Sequence, residues 1–152
     1  MENCIFCKIV AGDIEPVKIW EDEEFLAMLD INPNTKGMTL LLPKKHYDSY
    51  VFEMPDDSYQ RFFLTAKRIV KILEKGLDAK RVAMVMEGMG VNHAHLKLYP
   101  LFGLGDEFVA QEPKDRIYFE NYEGYLTTQL GPQADFAELN KLAEEIRNKN
   151  LL

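Results

Sequence analysis

The sequence has little cysteine and no long apolar run. Two cysteines among 152 residues are too few for a disulfide framework. The longest apolar runs, at 38–42 and 82–86, fall far short of the roughly 20 residues that span a bilayer. The first residues contain no basic region followed by an apolar stretch, so the sequence shows no secretory signal. We therefore expect a cytoplasmic protein without a membrane partner.

Positive charge is also scarce. Lysine and arginine number 18 against 25 acidic residues, which leaves a net charge of −7. This balance disfavours a general nucleic-acid binder, which usually carries a basic face. A small phosphorylated ligand stays possible because a pocket needs only local positive charge. A content of 47% hydrophobic and 28% charged residues is typical of a globular protein, and the length predicts a single domain over 1–152.

Short apolar runs bounded by turn residues predict five strands, at 17–20, 25–30, 37–42, 81–87 and 93–99. Apolar residues at helical spacing predict helices over 56–75 and 135–147, and 101–128 is irregular. Asp56, Asp57 or Ser58 can cap the first helix and Gly76 can end it, and Asp135 has capping-box spacing to Glu138 at the start of the second. Since short connections favour antiparallel pairing, we expect an α+β fold. It has one five-stranded antiparallel sheet with two helices on one side.

Two of the three histidines fall in the last predicted strand, where side chains alternate between faces. One face carries His93, His95, Lys97 and Tyr99, and the other carries Ala94, Leu96 and Leu98. Two imidazoles and an ammonium spaced about 7 Å apart are costly to bury without a ligand. The pattern favours an anion site, most naturally for phosphate, with one imidazole as a nucleophile. The alternative is an exposed strand with incidental histidines.

The two cysteines form a Cys-x-x-Cys pair, Cys4 and Cys7. Such a pair binds zinc or acts as a redox couple, and free structural thiols are the plain alternative. A redox couple expects a βαβ setting, which the predicted order of elements lacks. Zinc needs two further ligands, and His46 with one strand histidine can supply them. Spacing alone leaves zinc and free thiols both open.

Several ordered blocks resemble the histidine-triad (HIT) superfamily of nucleotide hydrolases and transferases. They lie at 4–14, 25–31, 37–44, His46 and 88–100. The sequence looks most like the bacterial and archaeal branch with a Cys-x-x-Cys element. The resemblance implies a HIT-like core at 4–103, with a C-terminal extension at 104–152 that ends in a helix. It also implies a homodimer.

The resemblance also implies roles for individual residues. His95 would attack the α-phosphorus of a purine nucleotide conjugate, a dinucleoside polyphosphate or nucleoside phosphoramidate, and form a nucleotidyl-histidine intermediate. Asp30 would bind the ribose, and backbone at Gly90 the phosphate. The nucleoside pocket would comprise Ile5, Phe6, Ile9, Ile14, Met28, Leu29 and Ile31. A structural zinc ion would bind Cys4, Cys7, His46 and His93.

The sequence departs from the family pattern at the third motif histidine, where Lys97 stands. An ammonium can stabilise charge on the phosphoryl group or protonate a leaving group. It can equally hold a nucleotide without promoting turnover. Met38, Met86 and Met89 stand where relatives often have polar residues. The alternative function is therefore a zinc-stabilised nucleotide-binding module with little or no catalysis.

Overall fold

The computed structural model describes residues 3–111, 118, 120–122 and 133–150. Its strands are β1 (Lys18–Glu21), β2 (Phe25–Leu29), β3 (Thr39–Pro43), β4 (Arg81–Val85) and β5 (Leu96–Leu101). Its α-helices are α1 (Ile5–Ala11), α2 (Asp56–Leu77) and α3 (Phe136–Asn148), and a 3-10 turn covers Val51–Glu53. Much of the irregular segment predicted at 101–128 lies outside the described residues. Among those described, no helix is long and apolar enough to cross a membrane.

The five strands form one antiparallel sheet in the order β1-β2-β3-β5-β4, which confirms the predicted α+β fold. β2 and β3 pair from Phe25 opposite Pro43 to Leu29 opposite Thr39. β5 lies between β3 and β4, with Lys97 opposite both Leu40 and Val85. The segment with His93 and His95 therefore leads directly into a strand that lies inside the sheet.

The strands bury side chains on both faces. In β2, Ala27 and Leu29 join one apolar cluster, while Leu26 and Met28 join another. The larger cluster includes α2 and α3, as well as Ala94, Leu96 and Leu98, which confirms the predicted apolar face of the histidine segment. The smaller cluster includes residues of α1. The two predicted helices, α2 and α3, therefore lie on one face as expected, and a third helix, α1, lies on the other face.

The helix that the sequence interpretation missed is α1. It is seven residues long, and its one buried residue is Phe6, which packs with Ile9 and Val10 against the sheet. Gly12 ends it with φ +88°, and the Gly12 N–H donates to the Ile9 carbonyl oxygen at 3.0 Å. Glycine adopts such a conformation without steric cost, so this is a favourable helix end.

Several element ends differ from the prediction, most of them by one or two residues. α2 begins after Pro55 without a side-chain cap and continues through Gly76 to Leu77. Asp78 follows the last helical residue as the C-cap and has φ 55°, in the left-handed region. β5 begins at Leu96, so His93 precedes the strand. In contrast, Asp135 caps α3 as expected.

Candidate functional site: a Cys/His cluster beside a buried histidine

Four potential metal ligands from distant parts of the chain come together at one end of α1. Cys4 precedes this helix and Cys7 lies in its first turn. His46 follows β3, and His93 precedes β5. One ligand atom from each residue lies within 4.8 Å of the others. The four residues of the expected metal site therefore form one cluster.

The spacing within the cluster fits a tetrahedrally bound ion. The Nδ1 atoms of His46 and His93 are 3.2 Å apart. Cys7 Sγ lies 3.3 Å from His46 Nδ1 and 3.6 Å from His93 Nδ1, and Cys4 Sγ lies 3.5 Å from His93 Nδ1. Zn–S bonds of about 2.3 Å and Zn–N bonds of about 2.0–2.1 Å separate sulfur from nitrogen by about 3.5 Å and two nitrogens by about 3.4 Å. These four distances are close to those of a tetrahedral site, so the cluster could hold a metal ion of this size.

A backbone carbonyl oxygen orients the His93 imidazole, and a carboxylate lies near the His46 imidazole. His93 Nε2 lies 2.8 Å from the carbonyl oxygen of Pro43. A carbonyl only accepts, so Nε2 carries the proton and the Nδ1 lone pair faces the cluster. His46 Nε2 lies 3.6 Å from Asp48 Oδ1. Burial lowers the pKa of His93, which keeps its ring neutral, and burial raises the pKa of the Cys7 thiol. A bound cation would displace that thiol proton.

The expected nucleophile, His95, lies beside this cluster with 5% of its surface exposed. Its Nδ1–H donates to the carbonyl oxygen of His93 at 2.7 Å, which leaves the Nε2 lone pair as the nucleophilic position. Burial is the largest influence on the pKa of His95 and lowers it. A neutral imidazole with a fixed tautomer is the state that a nucleophilic histidine needs.

Two charged side chains act on His95. The positive charge of Lys97 lowers the pKa of His95, and the negative charge of Asp30 raises it. Asp30 is buried, and its Oδ1 accepts a hydrogen bond from the backbone N–H of Asn32 at 2.8 Å. This bond shows the turn-capping role of Asp30. Its position near His95 also suits contact with a ligand bound there.

The residues expected to enclose a nucleoside fall into three groups. Phe6 and Met28 are buried in the smaller apolar cluster, and Ile9 packs against it. Leu29 belongs to the larger cluster on the opposite face of the sheet. The remaining three side chains are exposed: Ile5, Ile14 and Ile31. The structure therefore gathers only part of this set on the face that carries α1.

Gly90 lies on a cleft beside the metal ligands. The cleft has a volume of about 440 Å³, and Cys4, Ile5 and His46 also line it. A Cβ added to Gly90 would meet no atom within 4 Å, so steric contact does not require glycine there. Gly88 differs, because its φ is +74° and a Cβ would lie 2.8 Å from the carbonyl oxygen of Ser49. Glycine is needed at Gly88 for the close approach of two loops.

Sequence reasoning missed Asn92, which links those loops. Its Oδ1 accepts from the backbone N–H of Ser49 at 3.0 Å, and its Nδ2 donates to Asp48 Oδ1 at 3.2 Å. Asp48 in turn faces His46. No spacing in the sequence indicates these contacts, since the partners are more than forty residues apart.

The fold has counterparts in known proteins. A family model described as the HIT domain matches residues 11–102. The protein Hit of Bacillus subtilis is 40% identical over 114 residues, which cover 72% of this chain and 78% of that protein. An adenosine 5′-monophosphoramidase of Schizosaccharomyces pombe is 34% identical over 108 residues, covering 68% of this chain and 80% of that protein. The chain belongs to the HIT domain family.

A solved structure extends the likeness beyond the region of the family model. The crystal structure of a zinc-bound histidine triad family protein from Mycobacterium smegmatis matches with a TM-score of 0.69 at 26% identity. The match covers 97% of this chain and 93% of that chain. The fold is therefore that of a HIT protein.

Proposed function

We propose that this protein is a nucleotide hydrolase or nucleotidyltransferase that attacks the α-phosphate of a purine nucleotide conjugate through His95. The observation that carries the proposal is the His95 ring, which is buried and donates from Nδ1 to the His93 carbonyl oxygen at 2.7 Å. Membership of the HIT family supports nucleotide chemistry. The Schizosaccharomyces pombe relative named adenosine 5′-monophosphoramidase supports a phosphoramidate as one substrate class.

The proposed reaction has two displacements at phosphorus. The Nε2 lone pair of His95 forms a bond to the α-phosphorus, and the bond to the leaving nitrogen or oxygen breaks with its electron pair. The leaving group takes a proton, and Lys97 is the candidate donor. A water molecule or another acceptor then attacks phosphorus and passes its proton to the Lys97 amine, while the bond between phosphorus and His95 Nε2 breaks and the nucleotide is released. The second step restores the neutral imidazole.

We assign substrate binding to the face of the sheet that carries α1. Asp30 accepts hydrogen bonds from the ribose hydroxyls, and backbone at Gly90 contacts the phosphate. Partly or fully exposed aliphatic side chains then contact the base, and Ile5, Ile14 and Ile31 are the exposed members of the expected set. The buried position of Asp30 near His95 supports this arrangement, because a single ligand can reach both residues.

The metal that we propose for Cys4, Cys7, His46 and His93 is zinc. Two thiolates and two imidazoles are a common structural zinc set, and the spacings in this cluster match its tetrahedral geometry. The zinc-bound relative from Mycobacterium smegmatis supports the choice. Bound zinc supplies a structural tie between α1 and the segments that hold His46 and His93.

We also expect a homodimer. β4 is an edge strand of the sheet and pairs only with β5 in the part of the chain that the structure describes. Its Met84 is exposed. Light scattering is expected to give twice the 17.6 kDa mass of the chain. A mass equal to one chain at micromolar concentration would contradict this expectation.

The test of the enzymatic proposal compares wild type with His95→Ala on adenosine 5′-phosphoramidate and diadenosine polyphosphates. Removal of the nucleophile is expected to lower the release of AMP by about a thousandfold or more. The variant should keep its metal content, since His95 is not one of the four clustered ligands. Metal content and circular dichroism therefore serve as controls for folding. Turnover by His95→Ala at the wild-type rate would refute the assignment.

Lys97 favours a second candidate, a zinc-stabilised nucleotide-binding module with little or no catalysis. An ammonium close enough to influence His95 can hold a phosphate by charge without assisting turnover. This candidate predicts that wild type binds AMP in calorimetry but releases no product from the same substrates. Lys97→His should then raise turnover. If activity does not rise, Lys97 is not what limits catalysis.

A further inference from the structure

Phe6 lies between Cys4 and Cys7 in the sequence. Its ring contacts the imidazoles of both His93 and His95. Its ring centroid lies 5.7 Å from that of His93, with an interplanar angle of 86°, and 5.2 Å from that of His95, with an angle of 71°. Both are edge-to-face arrangements, which aromatic rings prefer. With 6% of its surface exposed, Phe6 offers little ring area to a bound base.

The orientation of His95 depends on two contacts, and both involve parts of the metal cluster. Its Nδ1–H donates to the backbone carbonyl oxygen of His93, and the side chain of His93 is a potential metal ligand. Its ring packs against Phe6, whose neighbours along α1 include Cys4 and Cys7. A change in the position of α1 therefore reaches the nucleophile through one aromatic side chain.

The helix that carries Phe6 has few other attachments. α1 has seven residues, whereas isolated helices shorter than about 12–15 residues are marginal in water. The apolar residues beneath it lie on β2 and β3, which pair with their neighbours without its help. Release of both thiols would thus loosen α1 while the sheet stays intact.

We propose that Phe6 is a positioning residue for His95, and that it couples the metal-bound state of the cluster to the orientation of the nucleophile. The proposal deepens the enzymatic function given above and rests on it for its kinetic prediction. When Cys4 and Cys7 are held by a metal, Phe6 stays against the His95 ring, and Nε2 is directed at the substrate. When they are released, Phe6 withdraws and the His95 ring samples other orientations.

The variant that tests this role is Phe6→Leu, which keeps an apolar side chain but removes the ring. Val10→Ala is the matched control, because Val10 lies on the same helix and packs against the same cluster but carries no ring that could pack edge-to-face on a histidine. With full metal content, Phe6→Leu is expected to lower kcat by about 10- to 100-fold with little change in KM, as small misplacements of reacting groups do. Val10→Ala should leave both constants near wild type.

A second measurement needs no substrate. Nitrogen-15 NMR of the imidazoles reports which ring nitrogen of His95 carries the proton. Metal-loaded wild type should show the Nδ1–H form alone. Metal-free wild type and metal-loaded Phe6→Leu should both show a mixture of tautomers, and Val10→Ala should not. Chelation of wild type provides this result even if Phe6→Leu does not fold.

The outcomes separate this proposal from the proposed function. If wild type has no turnover but the tautomers shift as described, the enzymatic function fails and the positioning role stands. If Phe6→Leu and metal-free wild type both keep a single Nδ1–H tautomer, the positioning role is overturned. A rise in KM with kcat unchanged would also overturn it, because Phe6 would then be a nucleoside contact.

Discussion

On one face of the sheet, α2 and α3 pack with the strands in a cluster of eighteen buried residues. On the other face, the cluster that includes α1 has five buried residues. These numbers refer to the described part of the chain. Beside the larger cluster, Ser58 of α2 is a buried uncharged group whose hydroxyl lies 3.0 Å from that of Tyr47. The smaller one adjoins His93, His95 and Asp30, all of which are buried. The two faces of one sheet therefore differ in both the amount and the kind of burial.

The difference indicates a division of roles. Burial of apolar surface stabilises a fold by roughly 25 cal/mol per Å², so the face with α2 and α3 provides most of the stability. Buried polar groups cost free energy unless they are paired. On the other face each has a specific partner, such as Pro43 for His93 and Asn32 for Asp30. That face holds buried polar side chains in place with directional bonds, and its integrity depends on few contacts.

The largest effect is expected from loss of a potential metal ligand on the face that carries α1. Cys7→Ser should lower metal affinity by more than about 100-fold, since even partners behind the ligands contribute about 10- to 100-fold. Hydrogen exchange should become fast for the Lys8 amide, which donates to Cys4 at 3.1 Å in α1, while amides of α2 stay protected.

The control for that change is Lys8→Ala, an exposed substitution in the same helix. It should leave metal affinity and exchange near wild type. Equal loss of protection in α1 and α2 after Cys7→Ser would contradict the division between the two faces.

The second prediction concerns the face that carries α2 and α3, where Gly76 of α2 packs closely against Ile146 of α3. A Cβ at Gly76 would lie 2.7 Å from Ile146 Cγ2 and 2.8 Å from Ile146 Cα. Gly76→Ala should lower the free energy of unfolding by about 1–3 kcal/mol through overpacking. This outweighs the roughly 0.5–1 kcal/mol that alanine gains over glycine inside a helix. Urea denaturation measures the difference.

Lys75→Ala provides the control, because Lys75 is exposed and adjacent in the same helix. Metal affinity should stay the same in Gly76→Ala. If this variant were as stable as wild type, the packing of α2 on α3 would be looser than the structure indicates.

Gly76 also illustrates what the sequence can and cannot predict. The strands, the cap at Asp135 and the metal ligands follow from local patterns or from family resemblance. Gly76 resembled a helix end, but glycine occurs there because α3 approaches the backbone closely. That reason belongs to tertiary structure, which no local pattern contains.

The short helix α1 was missed for a related reason. Phe6, Ile9 and Val10 have helical spacing and Gly12 ends the run, so a signal was present. Seven residues are too few for such a pattern to stand out, and the helix is stabilised by its contacts with β2 and β3. The contacts of Asn92 had no signal, since side-chain hydrogen bonds between loops depend on the completed fold.

The smallest effect on the free energy of unfolding is expected at the start of α3. Asp135 Oδ1 accepts from the backbone N–H groups of Ala137 at 2.9 Å and Glu138 at 3.0 Å. Asp135→Ala should lower the free energy of unfolding by about 1 kcal/mol, the usual value of an N-cap, without affecting metal affinity. Lys141→Ala, an exposed change in the same helix, is the control in the same urea titration. A loss of metal affinity in Asp135→Ala would mean that the two faces are coupled, because α3 packs on β1 and α2, on the face of the sheet opposite α1.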